Sequence, residues 1–352
     1  MNYEAIKPLL FKLQPETAHC LSEWSLRALN AFCPWFFSVL ARCYVVENES
    51  LKQNILGLDF HNPVGLAGGF DKNATMLRPL SAFGFGFLEF GTFTLKMQKG
   101  NEKPRLFRLE KEESLQNAMG FNNEGVEKIS SRLAKIYPFV LPLGANIGKN
   151  KDTANEKALE EYLALVQQCQ FFCDYFTINI SSPNTQALRE LQDNEFLSTF
   201  LSKAREITQK PLFIKIAPDM QIEQALDLCE NAMNKGASGF VIANTSTDYS
   251  LLKNQRAFGG ISGRLIAPKN QQFFKELAKV LFGKTLLIAS GGINSAQSAY
   301  ERIKDGANLI QIYTALVYKG PKLVYDINEG LISLLKKDQC SHLSQAVGVN
   351  IQ

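Results

Sequence analysis

Histidine is almost missing from this chain: its 352 residues include three, His19, His61 and His342, widely separated in sequence. Histidine-based metal centres and imidazole acid–base chemistry therefore have no support, and no metal site is expected. Long apolar runs are missing as well. A membrane-spanning helix needs roughly 18 or more apolar residues, whereas the nearest candidate, residues 31–41 (AFCPWFFSVLA), is short, contains Pro34 and ends at Arg42. It is not expected to cross a bilayer. The N-terminus carries Glu4 and Lys7 with no small-residue cleavage site after an apolar stretch, so no secretory signal is expected. Nor is there an excess of one charge: 38 Lys and Arg against 34 Asp and Glu leave +4, too little to argue for nucleic acid, though a small anionic ligand stays open. The seven cysteines are odd in number and lack paired-knuckle spacing, which points to reduced thiols. Cys169 and Cys173 lie one helical turn apart without a histidine beside them, and core packing accounts for them.

What the chain does have is 45% hydrophobic residues, enough for one large core. From about residue 62, short apolar runs alternate with longer amphipathic stretches, the pattern of βα units around a parallel sheet. Strands are expected near 64–67, 87–90, 141–145, 175–179, 212–216, 239–243, 286–289 and 309–312; helices between them include 152–170, 195–207, 222–235, 295–304 and 323–336. Eight such runs predict an α/β fold, a (β/α)8 TIM barrel. The connection from Thr92 to Val140 is too long for a plain loop and predicts a small antiparallel pair around GNEKPRLFRL. Residues 1–46 differ: Ile6, Leu9, Leu10 and Leu13 recur at helical spacing, a second amphipathic stretch covers 19–29, and Phe32, Trp35, Phe36 and Phe37 follow. Such helices either cap a barrel end or, rimmed by Lys7, Lys12, Arg27 and Arg42, lie on a membrane surface. The expected division is a helical extension at 1–46 and a barrel at 47–352.

In a parallel barrel, chemistry gathers where the strands end. The residues that follow the runs are Asp71 and Lys72, Thr92, Asn146, 179–184, Lys215, Asn244 and Thr245, Gly291 and Gly292, and Tyr313 and Thr314. Amides, hydroxyls and two lysines converge there, and acidic groups are nearly absent. Asn and Thr suit a planar heterocycle with amide edges, and a lysine beside a flavin offsets charge on its reduced form. Gly259, Gly260, Gly263, Gly291 and Gly292 let backbone N–H groups approach a phosphate, in register with Tyr313 and Thr314. NISSPNT (179–185) is an Asx or ST turn in isolation, but at a barrel mouth it becomes a site loop. Lys215, in FIKIAPD, needs an anionic partner, either a bound ligand or Asp219.

The segments NPVGLAGGFDKN, GFLEFGTFT, GNEKPRLFRL, NAMGFNNEG, NIGKNKDT, NISSPNT, KIAPD, ANTST, GGISGRLI, SGGI and QIYTALVYKGP, in this order, closely resemble the dihydroorotate dehydrogenases of the quinone-reducing class across nearly the whole chain. The resemblance implies FMN as cofactor and Ser182 as general base, since the soluble class has cysteine there. Thr185 and Phe121 would shape the proton path. Dihydroorotate would be held by Lys72, Asn117, Ala118, Met119, Gly120, Phe121, Asn179, Asn184, Asn244 and Thr245. FMN would be held by Ala67, Gly68, Gly69, Lys72, Thr92, Asn146, Asn179, Lys215, Ala243, Gly263, Gly292, Tyr313 and Thr314. His19, Arg108 and Tyr313 would line a quinone tunnel. A monomer, docked peripherally on the cytoplasmic face of the cell membrane through its N-terminal helices, is implied, with no nucleic-acid partner. Departures from the family are Gly68 for a common Ala, Ala187 for a usual Gly, Ala243 for Thr, and SGGI for Val-Gly-Gly. A cofactor-free barrel lyase and a non-catalytic ligand-binding protein are the alternatives from other classes, and neither needs Lys72, Asn117 and Ser182 together. Within the family, the alternative is the soluble fumarate- or NAD-linked class.

Overall fold

The eight apolar runs become eight parallel strands that close into a barrel, in a computed structural model that describes residues 3–252 and 257–351. They are Val64–Leu66, Phe87–Phe93, Leu143–Ile147, Tyr175–Asn179, Leu212–Ile216, Gly239–Ile242, Leu286–Ser290 and Leu309–Ile312. Each pairs with the next in sequence, and the eighth returns to the first through Ile310–Val64. The expected TIM barrel is the fold observed. Helices cover the outside, among them Ala158–Cys169, Asn194–Ile207, Ile222–Asn234, Ala267–Leu281, Ala296–Lys304 and Leu323–Lys337.

Some boundaries shift for local reasons. The third strand starts at Leu143 rather than at 141, because Pro142 has no N–H to donate to a ladder. At its other end it extends past Ala145 to Ile147 and carries Asn146 within it. The second strand likewise runs through Thr92. The helix expected over 152–170 is divided into a 3-10 turn, Asn155–Lys157, and the helix Ala158–Cys169. The excursion after the second strand holds the expected antiparallel pair, Leu106–Leu109 with Ser114–Asn117, and gains a third strand, Gly260–Gly263.

The barrel interior is layered by the two-residue period of its strands. Phe87, Tyr175, Phe213, Val241, Ile288 and Leu309 form an apolar floor with Phe60, which is delivered by the hairpin Gln53–Ile55 and Leu58–Phe60. Phe60 meets Phe87 edge to face at 5.5 Å, and Tyr175 meets Phe213 at the same distance. Two residues further along the strands, the inward positions turn polar: Glu89, Thr177, Lys215 and Gln311, all buried. The floor closes one end, so ligands enter only from the other.

Three helices precede the barrel: α1 (Tyr3–Phe11), α2 (Pro15–Phe32) and α3 (Trp35–Tyr44). Proline at the first position of α2 is the residue that loses least there, since that N–H has no helical partner. The helices rest on the strand Leu106–Leu109 and the barrel-top helices, and Tyr3 Oη donates to the carbonyl of Val317 at 2.6 Å. Ile6, Leu9, Leu13, Leu21, Trp24, Phe32, Trp35 and Val39 remain exposed. Removing the plug should be costly: Phe60→Ala is expected to lower folding stability by about 3 kcal/mol or more, seen as a lower urea midpoint. A loss below about 1 kcal/mol would mean that the floor collapses to fill the gap.

Candidate active site

The open end of the barrel is a pocket built largely from the residues singled out in the sequence. Ala67, Gly68, Gly69, Lys72, Thr92, Asn117, Met119, Gly120, Phe121, Asn179, Ser182, Asn184, Lys215, Ala243, Asn244, Thr245, Gly263, Gly292, Tyr313 and Thr314 all line it. Asn146 lies beneath the lining, Ala118 and Thr185 lie behind it, and His19 and Arg108 stand outside.

Glu89 organises the pocket base, and sequence reasoning missed it. Its Oε1 accepts from Gly68 N (3.2 Å) and Asn146 Nδ2 (2.7 Å), and its Oε2 from Thr177 Oγ1 and Gln311 Nε2, each at 2.8 Å. A Cβ on Gly68 would sit 2.6 Å from Glu89 Oε1 and 2.7 Å from Asn146 Nδ2, so both side chains would have to shift to admit it. The network climbs toward the mouth. Asn146 Oδ1 accepts from Thr92 Oγ1 (2.5 Å) and Asn179 Nδ2 (3.3 Å), and Asn244 Nδ2 donates to Asn179 Oδ1 at 3.1 Å. Each amide is thereby fixed in orientation before any ligand arrives.

Lys215 stands in this base layer, 5% exposed. Burial pushes its ammonium below the usual lysine range, and the charge of Glu89 opposes that. Among the described residues it makes no hydrogen bond or ion pair, and Asp219, the structural partner considered for it, is engaged elsewhere. Asp219 pairs with Arg189 at 3.1 Å and Lys269 at 3.0 Å. Arg189 also donates to the carbonyls of Ser181 and Thr245, each at 3.0 Å, which braces the loops after the fourth and sixth strands against each other.

The loop after the fourth strand carries Ser182, whose hydroxyl accepts from Asn184 N at 3.3 Å. No described carboxylate or imidazole hydrogen-bonds to it. Asn184 Nδ2 donates to Asn117 Oδ1 at 2.8 Å, and Asn117 Nδ2 to the Gly260 carbonyl at 3.3 Å, so the loop after the fourth strand is tied to the antiparallel excursion sheet. Buried acceptors lack partners here: Thr185 Oγ1, Thr245 Oγ1, Asn184 Oδ1 and, below them, Gln311 Oε1. Such groups are costly unless a ligand or water completes them. Lys72 Nζ donates to the Gly69 carbonyl at 2.8 Å. Burial pulls Lys72 down to about 8, against the carboxylates of Glu16, Asp71 and Glu23.

On the far side of the pocket, Gly263 adopts φ +97°, and a Cβ there would meet the Glu113 carbonyl at 2.6 Å. Ser262 Oγ and Thr314 Oγ1 hydrogen-bond at 2.8 Å beside it. Toward the N-terminal helices, His19 packs edge to face on Phe70 (5.1 Å), and Phe70 on Tyr313 (5.4 Å). Burial lowers His19 to about 4, so its ring is neutral at pH 7. Arg108 is set apart: it donates to the carbonyls of Phe11 (3.2 Å) and Leu13 (2.7 Å) and lies 4.5 Å over the Phe11 ring.

This constellation matches one family along its length. A family model described as dihydroorotate dehydrogenase covers residues 50–335. The chain belongs to the dihydroorotate dehydrogenase family. A relative from a Nitratiruptor species, named dihydroorotate dehydrogenase (quinone), is 51% identical over 352 residues, 100% of both chains. One of the same name from a Sulfurovum species is 50% identical over 349 residues, 99% of this chain and 98% of the relative. The crystal structure of an Eimeria tenella DHODH in complex with ferulenol superimposes with a TM-score of 0.84 at 33% identity, covering 97% of this chain and 98% of that one. Dihydroorotate dehydrogenases are flavin-dependent oxidoreductases, and this chain is an oxidoreductase of that family.

One departure from the family pattern has a visible cost. Ala187 adopts the left-handed conformation, φ 55° and ψ 8°, where a Cβ is disfavoured by about 1–2 kcal/mol. Ala187→Gly is expected to raise stability by a net of about 0.5–1 kcal/mol after the greater chain entropy of glycine. Chemical denaturation checks this, and a lower midpoint would contradict it.

Proposed function

We propose that this chain oxidises (S)-dihydroorotate to orotate, with FMN as hydride acceptor and a membrane quinone as final acceptor, in de novo pyrimidine biosynthesis. One observation carries the reading. Lys72 and the amides of Asn117, Asn179, Asn184 and Asn244 line the same pocket as Ser182. Dihydroorotate is a small ring with amide edges and a carboxylate, which becomes planar on oxidation to orotate, and this donor set fits it. The relatives named quinone-dependent enzymes support the acceptor.

The residues fit FMN as well. The unpartnered Lys215, the orphaned Gln311 Oε1 and the tight glycines Gly68 and Gly263 suit a flavin ring with a phosphate tail. Lys215, Thr92, Asn146 and Asn179 would hold the ring, Ala67, Gly68, Gly69 and Ala243 would approach it by backbone, and Gly263, Gly292, Tyr313 and Thr314 would hold the phosphate end. Bound FMN supplies the acceptor for the hydride leaving C6 and passes the electrons on.

Lys72 would bind the substrate carboxylate. Ser182 would take the C5 proton. An unassisted hydroxyl is a weak base at neutral pH, and the orphaned Thr185 Oγ1 is suited to a short water path that relieves Ser182 of that proton. Phe121, 7% exposed, would keep bulk water off the path. Ala118, Met119 and Gly120 would complete the substrate wall. His19, Phe70, Tyr313 and Arg108 would border the quinone route, and residues 1–46 would dock peripherally on the cytoplasmic face of the membrane. No described helix is long and apolar enough to cross a membrane. The proposed unit is a monomer.

Two outcomes are expected. Ser182→Ala should bind orotate within about threefold of the parent while slowing flavin reduction by dihydroorotate by about 100-fold or more. Rapid mixing reads both, and parent-like reduction would remove Ser182 from the base role. The second concerns pH. Lys72 must be protonated to pair with an anion, and it loses that proton near 8, so orotate affinity should fall as pH rises above about 8. Binding at pH 9 should then take up protons, which calorimetry in buffers of different ionisation heat detects. Affinity that is flat to pH 10 would contradict this role for Lys72.

A further inference from the structure

We infer that Glu16 and Arg105 are positioning residues that tie helix α2 to the substrate loops through Asn101. The inference rests on the reading above, in which Asn117, Ser182 and Asn184 hold substrate. It starts in the first turn of α2. Glu16 Oε1 lies 2.7 Å from Arg105 Nη2, and Oε2 lies 3.2 Å from Arg105 Nε, a two-pronged contact between side chains that are 16% and 6% exposed. Forked pairs of this kind fix geometry as well as charge.

The remaining nitrogen of Arg105 points the other way. Its Nη1 donates to the carbonyls of Lys99 (2.6 Å) and Asn101 (2.7 Å), so every guanidinium nitrogen is committed either to α2 or to the 99–101 loop. Asn101 then reaches into the site. Its Nδ2 donates to the carbonyls of Ala118 and Asn184, each at 3.0 Å, and its backbone N to the Met119 carbonyl at 3.1 Å. Asn184 carries the relay to Asn117. The joint leaves no slack at Gly100, where a Cβ would sit 2.3 Å from the Met119 carbonyl and 2.8 Å from Arg105 Nη1. Four residues, Glu16, Arg105, Asn101 and Asn184, thus run in hydrogen-bonded succession from an N-terminal helix to the loop of Ser182, the last two links passing through backbone carbonyls.

Loss of the Glu16 carboxylate frees the Arg105 fork, and the 99–101 loop loses the anchor that holds Asn101 on Asn184. Substrate affinity falls, and the chemical step changes less. Glu16 helps to keep Lys72 protonated, so its electrostatic effect has the opposite sign only where Lys72 stays protonated without it: at pH 6, removing a negative charge near Lys72 would tighten binding of an anion. A purely structural effect would lower stability and leave affinity alone.

The test is an orotate titration of the full-length, FMN-loaded protein at pH 6, followed by flavin absorbance, for the parent, Glu16→Gln, Arg105→Lys, Asn101→Ala, and Glu16→Gln combined with Asn101→Ala. Hydrogen exchange of peptides covering 98–101 and 182–187 is recorded without orotate. Glu16→Gln and Arg105→Lys should each weaken orotate binding by about fivefold, and the double variant should be no worse than Asn101→Ala, because residues in one chain of contacts are not additive. Exchange in both loops should quicken. Parent-like or tighter binding by Glu16→Gln, unchanged exchange, or effects that add in the double variant would overturn the inference. A parent protein that does not bind orotate would instead sink the functional reading, and this inference with it.

Discussion

Everything above the barrel floor depends on one buried carboxylate. Glu89 is fully buried and accepts four hydrogen bonds, from Gly68, Asn146, Thr177 and Gln311. A carboxylate in that position is tolerable only when its oxygens are fully satisfied, so those groups have no freedom to turn. Asn146 in turn orients Thr92 and Asn179, and Asn179 orients Asn244. The ammonium of Lys215 shares the layer and feels the charge of Glu89. The mouth is thereby ordered from below, at the junction between an apolar plug and a polar pocket.

The N-terminal helices order the mouth from above. Glu16 and Glu23 both act on Lys72, and His19 packs on Phe70 beside Tyr313. The helical extension is thus within electrostatic reach of Lys72 while leaving Trp24, Phe32 and Trp35 exposed. Under the proposed reading, that arrangement brings a lipid-borne acceptor and a water-borne substrate to opposite edges of one flavin.

Much of this was legible in the sequence, for a physical reason. Barrel strands are short apolar runs with polar residues at their ends, so the eight runs and the strand-end residues of the pocket could be located by pattern alone, while Asn117, Met119, Gly120 and Phe121 came from the family resemblance. The missed features are those a local pattern does not encode. Glu89 sits two residues after Phe87 in a mostly apolar strand, and only the inward register shared by the two, which counting in steps of two would have exposed, marks it as interior. The pairing of Gly260–Gly263 with Ser114–Asn117 joins segments far apart in the chain. Arg189 and Asp219 likewise find each other only in three dimensions. Ala187 is the reverse case: the family resemblance marked it as a lost glycine, and its left-handed backbone explains why glycine is usual there.

The central claim is that one flavin links dihydroorotate to a quinone. An anaerobic absorbance experiment on the purified protein in detergent tests it most directly, with dihydroorotate added first and then, in parallel samples, a soluble quinone analogue, NAD+ or fumarate. A yellow protein that bleaches with dihydroorotate and recolours with the quinone alone is expected. A colourless protein that cannot be reconstituted with FMN, or one recoloured by NAD+ or fumarate and not by the quinone, would contradict the claim.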